Sequence, residues 1–285
     1  MSTAITTAFV EQYKSNVLHL AQQKGSRLKE TSRYTPVTGK SHYFEAIGAT
    51  AARIRTTRHS DTPQINTPHS RRKVTLVDYD WADLIDQEDK VKMLITPQSE
   101  YAMAGANAMG RAMDDAIIAA ASGSAAGGVA GATAIALPAS QKIAVGTTGL
   151  TLDKLLSAKE IIDSSDVDPD EARYLICSAK QVTDLLNTTQ VTSSDYNTVR
   201  ALASGNIDTF LGFKFIRSER LAKVSTTRSC LAYTESALGL AVGKDITTRI
   251  SERDDKNYAT QVFLSMIIGA TRIEDEKVVE IGAKE

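Results

Sequence analysis

Residues 96–123 read TPQSEYAMAGANAMGRAMDDAIIAAASG, and this pattern predicts one long helix. Thr96 suits an N-cap, Pro97 suits the first helical position, and Glu100 places negative charge near the positive end of the helix. Met109, Met113, Ile117 and Ala120 fall on one stripe at helical spacing, alanines fill much of the rest, and Gly123 is the stop. A helix over 97–122 would be roughly 35–40 Å long at 1.5 Å per residue. Its small side chains let other backbones approach closely, as a central strut requires.

Outward from this rod on the N-terminal side, Val74, Leu76, Tyr79 and Trp81 predict a strand. Residues 31–73 are polar and turn-rich, with Pro36, Gly39, Pro63 and Pro68 breaking any regular pattern. Between 53 and 73 lie Arg53, Arg55, Arg58, Arg71, Arg72 and Lys73, with Asp61 the only acid. A structureless excursion of about 40 residues is rare inside a compact domain and usually marks a loop that meets a partner. The segment therefore reads as an extended arm. Its basic residues are open to docking on an acidic neighbouring subunit, to simple solvation or to DNA contact. No aromatic residues interleave with the arginines, which argues against stacking on single-stranded bases. Residues 5–24 read as an amphipathic helix carrying Phe9, Tyr13, Val17, Leu20 and Ala21, stopped by Gly25.

On the C-terminal side, residues 123–149 are rich in Gly, Ala and Ser and read as a flexible or hairpin-like connection and a domain boundary. Thr151 then caps a helix with Leu152, Leu155, Leu156, Lys159 and Ile162 on one face. Asp168-Pro169 makes a turn, Tyr174–Cys177 a short buried strand, and Ser178 caps a helix carrying Val182, Leu185 and Leu186. Asp195 starts a further helix ending near Gly205, and Phe210–Ile216 reads as a strand. Residues 246–253 alternate with a period of two, 254–257 turn, and Tyr258–Ile268 is a long strand apolar on both faces. Such a strand is expected to be central in its sheet or covered by the long helix. The fold class is α+β.

The 285 residues suffice for one large domain or two smaller ones, with 42% hydrophobic and 24% charged residues. Thirty-three basic residues against 34 acidic give a net charge of -1, which argues against bulk nucleic-acid binding. No apolar run approaches the ~18 residues that would span a bilayer. Met1–Ile5 carries no secretory pattern, and cytoplasmic synthesis is expected. Cys177 and Cys230 each sit in an apolar stretch and read as buried, reduced core thiols.

Motifs for chemistry fail on inspection. Gly39-Lys40-Ser41 lacks the glycine that a phosphate-binding loop needs at position 34, which is Tyr34. Gly123, Gly127, Gly128 and Gly131 follow a helix rather than a strand, so they do not make a dinucleotide fingerprint. His19, His42, His59 and His69 have no spacing suited to a metal. No nucleophile has an identifiable base. The acidic runs 78–89 and 163–171 read as caps and solvated turns, with weak divalent-cation binding a minor reading. Asp114-Asp115 reads as a solvated helix face, or as a contact for a partner's arginine. No catalytic, cofactor-binding or metal residue is assigned, and the chain is not expected to be an enzyme.

In order and spacing the segments resemble the Hong Kong 97-type major capsid proteins of tailed phages, especially short podovirus-like ones. Four stretches carry the resemblance: Tyr79-Asp80-Trp81-Ala82-Asp83-Leu84-Ile85-Asp86 before the long helix; Arg111 with Asp114-Asp115 inside it; Leu211-Gly212-Phe213-Lys214-Phe215-Ile216; and Gly269-Ala270-Thr271-Arg272-Ile273 followed by Val278-Val279-Glu280-Ile281. The resemblance implies an N-terminal arm at 1–35 and an extended loop at 36–78. It implies a peripheral domain at 79–147 and 241–285, with a spine helix at 97–122, and an axial domain at 148–240. It also implies self-assembly into hexamers and pentamers of an icosahedral shell enclosing double-stranded DNA, in a virion assembled in the host cytoplasm. A scaffolding protein, a portal, a cement protein and packaged DNA on the inner face are the implied partners, with no membrane. Arg53, Arg55, Arg58, Arg71, Arg72, Lys73, Asp114 and Asp115 become candidates for contacts between subunits. An encapsulin-like shell that holds cargo enzymes shares the implied fold and remains the alternative.

Overall fold

The computed structural model describes residues 22–58, 62, 64–86, 98–187 and 209–285. In chain order its strands are β1 (Arg33–Pro36), β2 (Ser41–Ile47), β3 (His69–Thr75), β4 (Val77–Ile85), β5 (Ala125–Gly127), β6 (Thr133–Ile135), β7 (Lys142–Ile143), β8 (Arg173–Cys177), β9 (Thr209–Phe210), β10 (Phe213–Arg217), β11 (Lys223–Val224), β12 (Thr227–Thr234), β13 (Leu238–Arg253), β14 (Ala259–Arg272) and β15 (Val278–Lys284). The helices are α1 (Gln98–Ser122), α2 (Leu152–Asp163) and α3 (Ala179–Leu186). The predicted helices at 5–24 and 195–205, and the caps Thr96 and Pro97, lie wholly or almost wholly outside the described residues; 22–24 are described and are not helical. The chain divides into two compact units. The first takes its described residues from 22–26, 78–86, 98–112 and 244–268, and the second takes the rest.

In the first unit, β4 alternates as its sequence requires. Asp78, Asp80, Ala82 and Leu84 are exposed, Tyr79 and Trp81 are half-buried, and Ile85 is buried. β14 lies between β13 and β4, with Val262, Leu264, Met266 and Ile268 fully buried. A Cβ on Gly105 would stand 2.7 Å from Leu264 Cδ1 and 2.7 Å from Trp81 Cε3, so the α1 backbone seats directly on these strands. The doubly apolar strand is thus both central and covered by the helix. It also runs beyond its predicted end, to Arg272.

In the second unit the end of α1 buries Met113, Ile117, Ile118 and Ala121. Gly123 N–H donates to Ala119 O at 2.9 Å, and the helix stops there. The last carbonyls of a helix lack intrahelical donors and carry its negative dipole end. Arg272, with no exposed surface, supplies both needs. Its Nη1 donates to Ala121 O (3.1 Å) and Gly123 O (2.6 Å), and its Nη2 to Ile135 O (2.9 Å). Its Nε pairs with Asp275 Oδ1 at 2.5 Å, and Asp275 Oδ2 accepts from Arg72 Nη2 at 2.9 Å.

A seven-stranded sheet in the order β7-β15-β12-β8-β10-β9, with β11 on β12, fills the rest of this unit. β8 is buried at every position, between antiparallel β12 and parallel β10. Phe210–Ile216 is not one strand as expected. Leu211 (φ 54°) and Gly212 (φ 85°) turn the chain, so β9 folds back antiparallel on β10. Of the two readings of residues 123–149, the hairpin-like one holds: β5 and β6 form a hairpin whose first strand pairs with β3. Thr151 caps α2 as expected. The buried arc runs through Leu155, Ala158 and Ile162, while Leu156 is 45% exposed. Lys154 is buried beside that arc because its Nζ donates to the carbonyls of Val145, Thr148, Gly149 and Gly282 at 2.8–2.9 Å. Burial lowers its pKa.

α3 starts on a Ser178–Gln181 capping box, and both side chains also donate to Glu285, at 3.0 and 3.1 Å. Lys223 (2.6 Å) and Arg228 (2.7 Å) complete this carboxylate's surroundings. Burial alone would raise the Glu285 pKa. Hydrogen bonds from Lys223, Gln181, Arg228 and Ser178 outweigh that and bring it to about 2.

Three outcomes are expected. Asp275→Ala should cost ~3–5 kcal/mol in urea denaturation, because it leaves one fully buried and one largely buried guanidinium without a counter-charge. Glu45→Ala, which breaks the exposed pair with Arg71, should cost only about 0–1 kcal/mol. Glu285 has a folded pKa below its ordinary 4.5, so its contribution is complete above pH 4.5 and is lost as pH falls toward about 2. Unfolding curves across that window should therefore slope less steeply with pH for Glu285→Gln than for the parent chain.

Candidate assembly surface

Residues 31–73 are not structureless. β2 and β3 form an antiparallel hairpin in unbroken register from Ser41↔Thr75 to Ile47↔His69. At its base Phe44 and Val74 are buried with Ala241 and Ile273. The basic character of 71–73 hid the strand, because these side chains serve partly as stems over a ring. Arg71 lies 5.3 Å and Lys73 6.0 Å from the centre of Tyr43.

Beyond Ile47 the chain leaves the ladder, and residues 48–58 are exposed throughout. Arg53, Arg55 and Arg58 project here. Arg55 Nε–H donates to Thr57 O at 3.1 Å, and none of the three makes an ion pair among the described residues. Ile54, between two of them, is 91% exposed. An almost fully solvated isoleucine, flanked by cations without an ion-pair partner among the described residues, is a poor end state for a free chain and a good one for a chain that meets another surface.

The other five predicted residues are engaged within the chain. Arg71 pairs with Glu45 at 2.6 Å across the hairpin, and Arg72 is held by Asp275. The Lys73 stem lies against Gly131. Asp115 makes a two-pronged pair with Arg220. Asp114 corrects the expectation of a solvated helix face: it is fully buried. Its carboxylate accepts the backbone N–H groups of Arg27 (3.1 Å to each oxygen) and Leu28 (3.1 Å). A helix pattern cannot reveal this, because the covering chain comes from 86 residues away.

That covering chain is a strap along α1. In the first unit Gly25 N–H donates to Asn107 Oδ1 at 3.0 Å, and Arg111 Nη1 donates to Gln22 Oε1 at 2.9 Å. A Cβ on Gly110 would stand 2.4 Å from the Gly25 carbonyl carbon, so only glycine lets the strap lie this close. Sequence reading missed Asn107, Gly110 and Gln22; the one available signal was a polar, glycine-bearing face on an otherwise alanine-rich helix.

Carboxylates without ion-pair partners lie elsewhere. On the exposed face of β4 and just beyond it, Asp78, Asp80 and Asp86 make no ion pair among the described residues, with Leu84 43% exposed between them. Among the described residues no group of three or more His, Cys, Asp or Glu could hold a metal ion. No helix there is long and apolar enough to cross a membrane.

A family model described as phage capsid protein matches residues 5–285. The fold is similar to the capsid of cyanophage P-SCSP1u, at 18% identity over 99% of this chain and 94% of that one, with a TM-score of 0.76. It is similar to the capsid of Ralstonia phage GP4, at 11% identity over 96% and 94%, with a TM-score of 0.76. A native GTA particle capsid aligns over 100% of both chains, at 10% identity and a TM-score of 0.71. Comparison with curated proteins finds no match. The expected α+β shell fold is therefore the fold observed.

Asp114→Ala removes the acceptor for the buried Leu28 N–H, worth ~1–3 kcal/mol when orphaned, and for the part-buried Arg27 N–H. Limited trypsin digestion should then cut after Lys24 or Arg27 markedly faster than in the parent chain, with the rest of the digest unchanged.

Proposed function

The chain belongs to the phage capsid protein family, and on that premise we propose how it builds its shell. It is a structural subunit of a phage capsid, assembling with copies of itself and residing in the virion. Our reading is that copies join as hexamers and pentamers of an icosahedral shell around double-stranded DNA, a role that calls for no catalysis. In this reading residues 1–35 are an N-terminal arm and 36–78 an extended loop. Residues 79–147 and 241–285 make a peripheral domain, and 148–240 an axial domain at capsomer centres. A scaffolding protein, a portal and a cement protein are the expected companions, with assembly in the host cytoplasm. No comparison favours a cargo compartment over a phage head.

One observation carries the assembly role of the hairpin. Its outer part presents Arg53, Arg55 and Arg58 with no carboxylate partner among the described residues, around an isoleucine left in water. Charges left unsatisfied inside a subunit are available to steer and register a neighbour. The β4 face has the complementary character, with Asp78, Asp80 and Asp86 around Leu84. On β4 Asp78 and Asp80 repeat on one side at about 6.6–6.8 Å, a spacing that two arginines two residues apart can match on docking. Contact of the arginines with DNA is less favoured, because a chain of net charge -1 has no bulk attraction for the phosphates of a duplex. Arg71, Arg72, Lys73, Asp114 and Asp115 would act indirectly, by holding the hairpin base and spine helix in shape.

Arg53→Ala, Arg55→Ala and Arg58→Ala combined should leave the thermal unfolding transition within about 1 °C of the parent, because surface changes of this kind shift stability little. The same variant should lose closed hollow particles in negative-stain images under conditions where the parent forms them. Intact particle formation would sink the docking role. Loss of monomer folding would mean that the tip is part of the core.

A further inference from the structure

The two cysteines of the chain are placed for more than filling a core. We propose that Cys177 and Cys230 form a cross-strand dithiol that a small peroxide closes to an intramolecular disulfide, a modification site at the centre of the seven-stranded sheet.

β8 and β12 pair antiparallel with Tyr174 opposite Tyr233, Leu175 opposite Ala232, and Ile176 opposite Leu231. One further step along the same ladder sets Cys177 opposite Cys230, with both side chains on the same face. The hydrogen bonds then decide which kind of opposite pair this is. Cys177 O accepts from Ser218 N–H at 2.9 Å, on the side of β10, whose Arg217 is the parallel partner of Cys177. Backbone groups of one strand residue point to the same side, so those of Cys177 turn away from β12. The two cysteines therefore occupy a non-hydrogen-bonded position, where opposite Cα atoms approach to about 4.5 Å and side chains are closest. Disulfides span Cα separations of roughly 4.4–6.8 Å, so this pair needs no large backbone movement to close.

Both side chains are fully buried and unlinked. Burial pushes the Cys177 thiol up to about 12 and the Cys230 thiol higher still. Burial excludes charged and bulky reagents, so a small neutral peroxide is the oxidant that can reach the pair, and it reacts slowly because only the small thiolate fraction attacks. One cysteine Sγ attacks a peroxide oxygen, the O–O bond breaks, and the thiol proton leaves with the departing oxygen as water or an alcohol. The resulting sulfenic acid faces the second Sγ, which attacks its sulfur; an S–S bond forms, the S–O bond breaks, and the second thiol proton leaves as water. The dithiol loses two electrons and two protons, and one peroxide is reduced. In a glutathione-poised cytosol the pair stays reduced. Outside such a compartment, closure would fasten β8 to β12 where both strands are most buried.

The test uses the purified full chain treated with hydrogen peroxide. After catalase quenching it is unfolded in guanidinium with N-ethylmaleimide, and non-reducing peptide mapping follows. The expected result is a fall in free thiols from the two the sequence holds to near none. The Cys177 and Cys230 peptides should be joined, and the chain should still migrate as a single polypeptide. Cys177→Ala should leave Cys230 unlinked. Two free thiols after treatment, sulfinic or sulfonic acids without a link, or a chain-to-chain disulfide would each overturn the proposal. The mapping of the parent chain decides the matter even if the variant folds poorly.

Discussion

The second unit depends on one buried guanidinium. Arg272 sits at the end of α1, where several carbonyls lack donors and the helix dipole is negative, and it answers both at once. A cation without exposed surface is tolerable only with a carboxylate beside it. Asp275 is that carboxylate, and it also holds Arg72 from the hairpin strand β3. The end of the helix, the β5–β6 hairpin, the last turn of β14 and the base of the arm are thus joined through one ion cluster. Such a cluster contributes less to net stability than to fixing a single arrangement, since each member alone would be a buried, unpaired charge.

The same economy of charge separates what folds the subunit from what is left for its neighbours. Lys154 is solvated by four backbone carbonyls, Glu285 by two cations and two neutral donors, and Asp114 by two backbone N–H groups. These groups are spent. Arg53, Arg55, Arg58, Asp78, Asp80 and Asp86 have no ion-pair partner among the described residues, and all six lie on exposed parts of the chain. A shell multiplies modest contacts by symmetry, so weak exposed pairs that would count for little in a monomer gain weight through repetition. The energy of assembly can then lie in surfaces whose alteration leaves the subunit's own fold untouched.

Small residues serve the helix in a related way. Gly105 brings the backbone of α1 against Leu264 and Trp81, and Gly110 admits the strap at Gly25 and Ser26. An isolated helix would lose stability from glycines at these sites. In the fold the loss is offset by close packing of backbone on side chain.

Local pattern by itself determined the long helix, its stop at Gly123, the caps at Thr151 and Ser178, the buried strand at 174–177 and the central strand of the final hairpin. Each is written in residues close in sequence, through periodicity and capping. The order of these segments was enough to indicate the family. Only the tertiary structure decided that the polar arm has a paired base, that Asp114 lies under a strap, and that Arg72 and Arg272 share one carboxylate. It also decided that Leu156 faces water while Lys154 does not. The reason is the same in every case: a polar group's partner sits far along the chain or is backbone. Sequence records the type of a side chain but not the distant donor or acceptor that makes its burial tolerable.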